Sequence, residues 1–398
     1  MNNTKIVVID DSQAILLLMS SMLAELGYDQ VVTFCSPVKA LNAIRENPEQ
    51  YSAVFIDLNM PDVDGMAVIR ELGKINYHGG VCIVSAMESR VIKLAADIAR
   101  QHRVSLIGNI AKPVEKHTLK RVFNRFNELI ANNAHTTMEM TKDELLDCLE
   151  QKYFTPYYQP QVDIFTNRVT GLEALARIAK PGIPNAILPG SFLPTAMRHG
   201  LLNAITDQLF EKAFDDLPAL TAEFGKQVKL SLNLSPSQLV DPHYPEYLHS
   251  LIKRHNADIR QIVLEITEEL ALKSTEQLET LNRFRIRGFG LSLDDYGTGF
   301  TNLQELRSLP FTEIKIDRCL IQDIHCDRFN QVVVKSLAQI AGQLNVLLVA
   351  EGIEDFADYH YLETNMKALH VQGYLICKPR SMDSLLRWHH SWIHSKAC

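Results

Sequence analysis

The 398-residue sequence predicts two α/β domains in tandem. The first is a doubly wound, five-stranded parallel sheet, and the second an eight-fold β/α barrel. Three observations carry this expectation. Up to residue 131, short apolar strands alternate with amphipathic helical stretches, the pattern of a parallel sheet covered on both faces. A polar stretch over 132–140 then breaks the alternation and reads as a linker. The remaining 141–398 holds eight strand-like runs, and the 248 residues from Gln151 onward come close to the ~250 of such a barrel.

The elements follow in order. IVVID leads into a helical stretch over 12–26, and VVTF into one over 37–45. AVFIDL leads through a Pro/Gly loop to 66–72, VCIVSA to 88–101, and SLIGNI to 114–131. Thr141 with Glu144 makes a capping box for KDELLDCLEQKY, the first helix beyond the linker. The barrel runs are YYQPQVDI, VTGLEALA, VKLSLNLS, QIVLEITE, FGLSLDDY, EIKID, VLLVAEG and HVQGYLI, most of them separated by helical patterns. There is no low-complexity tract and no short internal repeat.

Composition narrows the function classes. The chain is 46% hydrophobic and 22% charged, as in ordinary globular proteins. A net charge of −7, with no recognition-helix segment, argues against nucleic acid as a partner. No apolar run reaches the ~18–20 residues of a membrane span. The start MNNTKIVVIDDS has no cationic leader, and the seven cysteines form no CxxC pair. A cytoplasmic location without structural zinc is expected.

The acids at the strand ends carry the chemistry. Side chains alternate along a strand. Glu173 lies between Leu172 and Ala174, Asn233 between Leu232 and Leu234, Glu265 between Leu264 and Ile266, and Lys315 between Ile314 and Ile316. If the apolar neighbours meet the outer helices, each polar residue points toward the barrel axis near the C-terminal end of its strand. That is the end where such barrels place their chemistry. Glu351 and Gln372 fit matching positions on later strands. Asp294 and Asp295 are adjacent, so both reach one site only if the backbone bends, and Gly297 and Gly299 offer that freedom. Four carboxylates and an amide oxygen need more positive charge than one lysine. Oxygen ligands of this kind select Mg²⁺ or Mn²⁺. Two such ions sharing a carboxylate suit in-line attack on a phosphodiester.

These runs resemble the EAL-domain family of cyclic di-GMP phosphodiesterases, whose barrel is a modified TIM-like (β/α)8 fold. Glu173-Ala174-Leu175 spells the family name. NLSP, LEITE, DDYGTG, IKID, AEGIE and QGY follow in the family's order between Tyr153 and Leu386. The resemblance implies hydrolysis of cyclic di-GMP to linear pGpG. It implies that Glu173, Asn233, Glu265 and Asp294 hold one metal ion, with Asp294 bridging and Asp295 helping to hold a second. Lys315 would orient or help deprotonate the attacking water. Glu351 would be either general base or a ligand completing the second metal's shell. Glu268 would anchor the loop after Asp295. Arg177 would contact substrate phosphate, with Gln159 and Gln372 at the substrate. Two positions depart from the family pattern. The loop reads GTGFTN, with Thr301 and Asn302 where two serines are common. Met197 replaces a glutamate, which reads as a local packing change.

The first domain ends its strands with Asp10, Asp11 and Asp57, three acids that call for Mg²⁺. Ser85 and Lys112 supply a hydroxyl and a cation for a phosphoryl group, and an aspartate can accept one as an acyl phosphate. This set resembles the receiver domain of response regulators. The resemblance implies phosphorylation of Asp57 by a histidine kinase, Mg²⁺ on Asp10 and Asp11, phosphoryl contacts from Ser85 and Lys112, and a Lys112-Pro113 bond that is cis. The usual aromatic switch position holds Asn109. The whole chain is thus similar to receiver–EAL response regulators of the RocR type, which suggests a homodimer or higher assembly. The competing expectation is an EAL domain without activity, serving as a cyclic di-GMP sensor or kinase-binding scaffold. The tail RWHHSWIH reads as a terminal amphipathic helix. Cys319 and Cys326 read as packing residues, and Gly288 with Gly290 as a turn into a strand.

Overall fold

The structure is a computed structural model that describes residues 5–61, 63–87, 89–102, 104–116, 118–120, 122–123, 126, 139–183, 185–267, 274–297, 306–307 and 309–396. The chain forms two compact units, Met1–Thr137 and Met138–Cys398. Residues 131–138, which include most of the expected linker, lie outside the described residues.

In the first unit, strands β1 (Ile6–Ile9), β2 (Val31–Phe34), β3 (Ala53–Ile56), β4 (Gly80–Ser85) and β5 (Leu106–Ala111) form one parallel sheet in the order β2-β1-β3-β4-β5. Strands buried on both faces read as continuous apolar runs, and β1, β3 and β4 are buried at every position. Alternate residues serve opposite faces. Val7, Ile9, Val54, Ile56, Val81 and Ile83 pack with the helices Pro37–Glu46 and Gly65–Lys74. Ile6, Val8, Phe55, Cys82 and Val84 pack with Leu16, Met19 and Leu23 of the helix Gln13–Glu25, and with Leu119, Phe123 and Phe126. This is the doubly wound sheet expected from the sequence. Much of the expected last helix lies outside the described residues.

In the second unit, β6 (Phe154–Asp163), β7 (Val169–Ile178), β8 (Lys229–Asn233), β9 (Ile262–Thr267), β10 (Gly290–Tyr296), β11 (Glu313–Ile316), β12 (Leu347–Ala350) and β13 (His370–Val371) close into a barrel. One strand departs from the all-parallel form: β6 runs antiparallel to both β7 and β13. Only residues 164–168 join β6 to β7, too few for the crossover that a parallel pair needs. The turn is fastened by Asp163 Oδ1, which accepts from the backbone N–H groups of Phe165 and Thr166. Leu172, Ala174, Leu230, Leu232, Leu264, Ile266, Leu291, Leu293, Ile314, Ile316, Leu348 and Ala350 face the outer helices in one apolar core. The alternate residues are therefore left facing the axis.

The Thr141–Glu144 capping box forms as expected. Gly288 ends the helix Thr275–Arg287 in a left-handed conformation and turns the chain into β10. The tail is the helix Met382–Lys396, whose Trp388 and Trp392 pack on the barrel core. Cys319 and Cys326 do not pack in the interior as expected. Both are exposed, because each lies in the short segment between β11 and the helix Arg328–Leu344 rather than on a buried helix face.

Candidate functional site

The barrel gathers its polar residues around one ammonium group. Lys315 is the centre, 1% exposed. Its Nζ lies 2.7 Å from Glu351 Oε1, 3.1 Å from Glu265 Oε1, 3.1 Å from Asp294 Oδ1 and 3.4 Å from Glu173 Oε2. Five strands or strand ends thus meet at one point: β7, β9, β10, β11 and the end of β12. Asn233 Nδ2, from β8, donates to Glu173 Oε1 and Glu265 Oε2, both at 3.2 Å. Gln372 Nε2 donates to Glu173 Oε2 and to Gln159 Oε1, and Gln159 Nε2 donates to the Cys377 carbonyl. Glu173, Asn233, Glu265, Asp294, Lys315, Glu351, Gln159 and Gln372 are therefore brought together.

Asp294 and Asp295 share the site through a backbone break at the second aspartate itself. Asp295 has φ +58°, and the β10–β11 register shifts between Leu293 and Tyr296. An aspartate tolerates the left-handed region better than most residues. The sequence reading placed this freedom in the following glycines. Gly297 does have φ +117°, but the turn that brings the second carboxylate inward comes two residues earlier. Gly299 lies outside the described residues, as do Glu268, Thr301 and Asn302.

One lysine leaves the cluster short of positive charge, and the carboxyls register it. Burial pushes Glu351 up to about 8, against the opposing pull of Lys315. Burial and the neighbouring Asp294 push Asp295 up to about 6. Glu265 rises well above the usual carboxylate range through burial and the charge of Glu173. Glu173 alone goes down, because Lys315, Gln372 and Asn233 outweigh its burial. Lys315 is raised well above the ordinary lysine value, since its carboxylate neighbours outweigh burial.

A divalent ion fits this donor set. Oxygen atoms of Asp294, Asp295 and Glu351 lie within 4.8 Å of one another. Glu173, Glu265 and Asp294 instead share the Lys315 ammonium, a cation held by the side chains expected to hold metal. An ion there needs Asn233 to turn its amide oxygen inward, an exchange of two atoms that nearly superimpose.

Arg177 lies near the end of β7, over the Tyr157 ring at 5.8 Å, and its Nη1 donates to the Ala176 carbonyl. It is nine-tenths buried, and burial lowers its guanidinium from the ordinary value. Met197 is no packing residue: it sits on the short helix Leu193–Arg198 with 64% of its surface exposed.

The first unit has a second cluster at the ends of β1 and β3. Lys112 Nζ lies 2.7 Å from Asp10 Oδ2 and 2.8 Å from Asp57 Oδ2. Oxygen atoms of Asp10, Asp11 and Asp57 fall within 4.8 Å of one another, so they fit a divalent ion too. Asp10 and Asp57 are buried, whereas Asp11 is exposed. Ser85 ends β4, fully buried, and accepts from the Met87 N–H. The Lys112-Pro113 bond is cis, as expected. Asn109 is exposed on β5.

Sequence reasoning missed Gly65. A Cβ there would lie 2.3 Å from the Asp57 carbonyl oxygen, so only glycine lets this helix start so close to β3. The glycine of PDVDG was the available signal. No helix among the described residues is long and apolar enough to cross a membrane.

Comparison with known proteins agrees with this geometry. The EAL domain matches residues 142–379, and the response regulator receiver domain matches residues 6–124. The cyclic di-GMP phosphodiesterase RocR of Pseudomonas aeruginosa is 26% identical over 384 residues, 95% of this chain and 97% of RocR. The bifunctional diguanylate cyclase/cyclic di-GMP phosphodiesterase MucR of the same species is 29% identical over 262 residues. That match takes in 66% of this chain, but the chain spans only 38% of MucR. A solved structure of PaMucR phosphodiesterase in complex with c-di-GMP is 29% identical, with a TM-score of 0.56, over 61% of this chain and 98% of that one.

Proposed function

Because the chain belongs to the EAL-domain family, with a response regulator receiver domain preceding the barrel, we propose that it hydrolyses cyclic di-GMP to linear pGpG and that phosphorylation of Asp57 modulates this activity. The observation that carries the reading is the meeting of four carboxylates from separate strand ends on the buried Lys315. Such a concentration of charge is costly to bury without cations, and it serves phosphodiester chemistry when divalent ions complete it.

Two Mg²⁺ or Mn²⁺ ions are the expected partners. Glu173, Asn233, Glu265 and Asp294 would hold the first. Asp294, Asp295 and Glu351 would hold the second, with Asp294 shared. The grouping of Glu351 with the two aspartates favours this role over that of general base. When bound, such ions lower the pKa of water and stabilise charge developing on phosphate oxygens. The chain's own residues do the rest. Lys315 orients the attacking water by donating from the floor of the site. Arg177 receives substrate phosphate at the rim. Gln372 fixes the Glu173 carboxylate, and Gln159 fixes Gln372, so both amides set the edge of the substrate site. Glu268 would anchor the loop after Asp295 in this reading.

In the first domain, Asp57 accepts a phosphoryl group from a histidine kinase. Asp10 and Asp11 would hold Mg²⁺, while Ser85 and Lys112 would bind phosphoryl oxygens. The reading includes a homodimer or larger assembly and a cytoplasmic location.

Purified protein with Mg²⁺ or Mn²⁺ should convert cyclic di-GMP to pGpG, and Glu173→Ala should abolish the conversion. Equal, slow product release from both proteins overturns the proposal. The exposed Met197, standing where the family carries a glutamate, favours one alternative: a sensor that binds without cleaving. Calorimetric binding with no turnover would establish that alternative.

A further inference from the structure

Beneath the acid cluster lies a second layer of inward-facing side chains. Gln161 on β6, Ser231 on β8, Ser292 on β10 and Glu313 on β11 each stand two residues from a site residue on the same strand: Gln159, Asn233, Asp294 and Lys315. They therefore point the same way, toward the axis. Their chain neighbours Val162, Leu230, Leu291 and Ile314 lie in the outer apolar core. All four are at least nine-tenths buried.

Three of them keep a polar atom without a hydrogen-bond partner, Gln161 Nε2, Ser231 Oγ and Glu313 Oε1, while Ser292 hydrogen-bonds the Glu313 carboxyl. Buried polar atoms are ordinarily paired, and barrels of this size ordinarily fill their interior with Val, Ile and Leu. Three exceptions facing the axis call for a bridging group. Water is the bridge of the right size and polarity. Gly171 belongs to the same level, and a Cβ there would meet Gln161 Oε1 at 2.3 Å, so its missing side chain leaves room for the glutamine. Ser292 and Glu313 are register neighbours on β10 and β11. Burial pushes the Glu313 carboxyl upward, the Ser292 hydrogen bond opposes that rise, and the carboxyl is within electrostatic reach of Lys315, Asp294 and Glu173.

We propose that these residues form a hydrated polar floor in which Glu313 positions Lys315 for phosphodiester hydrolysis. The proposal deepens the phosphodiesterase reading and rests on it. Lys315 reaches the water-orienting position only if its strand and stem are held from below. Glu313, two residues back, joined to β10 through Ser292 and by water to β6 and β8, supplies that hold.

The test combines kinetics, manganese titration and crystallography on the full chain. Glu313→Leu removes the hydrogen bonds and Glu313→Gln keeps them. Glu313→Leu should lower kcat about tenfold, with KM and calorimetric Mn²⁺ affinity unchanged. Glu313→Gln should restore kcat to within about threefold of the original. Wild-type turnover by the leucine variant overturns the proposal, and so does equal loss in both variants. If Glu313→Leu does not fold, Ser292→Ala and Ser231→Ala read the same floor, and unchanged kcat in both overturns it. Crystals of the original protein should show water bridging Glu313 Oε1 to the Ser231 hydroxyl or to Gln161, and direct pairing of Glu313 Oε1 with either, or no water between them, overturns the floor. A chain that binds cyclic di-GMP without cleaving it defeats the phosphodiesterase reading alone. In that event the Lys315 position decides: an ammonium displaced in the Glu313→Leu crystal supports the floor, and an unmoved one overturns it.

Discussion

Lys315 concentrates the energetics of the barrel site in one side chain. A buried ammonium among carboxylates is favourable only while all partners stay in place, and removing one member of a buried pair typically costs about 3–5 kcal/mol. Lys315→Met should therefore destabilise the metal-free protein by about 3 kcal/mol, and Mn²⁺ should recover part of it. Chemical denaturation with and without the ion checks both. The pH dependence has a definite sign. Within the barrel site Glu265, Asp294, Asp295, Glu313 and Glu351 are raised and only Glu173 is lowered, so between the ordinary carboxylate range and about 8 these carboxyls bind more protons in the folded state than in the unfolded one, an effect that outnumbers the opposite one of His370, whose imidazole burial lowers. Stability of the metal-free protein should fall as pH rises through that window. A thermal melt series from pH 5 to pH 8 reads this (~3 units, spanning the raised groups). Bound Mn²⁺ should flatten the trend.

Secondary elements decide whether these residues can meet. The break in β10 at Asp295 turns two adjacent carboxylates from opposite faces onto one site, which a regular strand forbids. In the first sheet, the close approach of Gly65 to the Asp57 carbonyl lets the helix Gly65–Lys74 start against the end of β3. Gly65→Ala should cost about 1–3 kcal/mol through overpacking. It should also slow phosphoryl transfer to Asp57, measured with acetyl phosphate as donor. An unchanged denaturation midpoint would contradict that account. The capping box at Thr141 is a simpler local device, and Thr141→Ala should cost about 1 kcal/mol in the same assay.

At the scale of the whole molecule, one domain is read as a switch and the other as a catalyst. Phosphorylation adds roughly 1.5–2 negative charges at Asp57, so its effect must pass through a contact with two arrangements. Beryllofluoride, a mimic of the phosphoryl group, should change either cyclic di-GMP turnover or the assembly state seen by light scattering. Demonstrated occupancy of Asp57 with neither quantity moved would remove the regulatory claim. Asn109, exposed where receivers carry an aromatic switch residue, makes this measurement informative about how the signal leaves the sheet.

Alternation and chemistry were legible in the residues themselves. The doubly wound sheet followed from short apolar strands alternating with amphipathic helical stretches, and the barrel from eight strand-like runs over a length that suits one. The acid, amide and lysine set followed from side-chain direction at strand ends, because that direction repeats every two residues whatever the partner strand. Three features came only with the tertiary structure. The antiparallel course of β6 depends on how five residues turn and which strand lies opposite. The left-handed Asp295 depends on the register between β10 and β11. The unsatisfied layer under Lys315 depends on what faces what across the barrel, and no local stretch of chain carries that information.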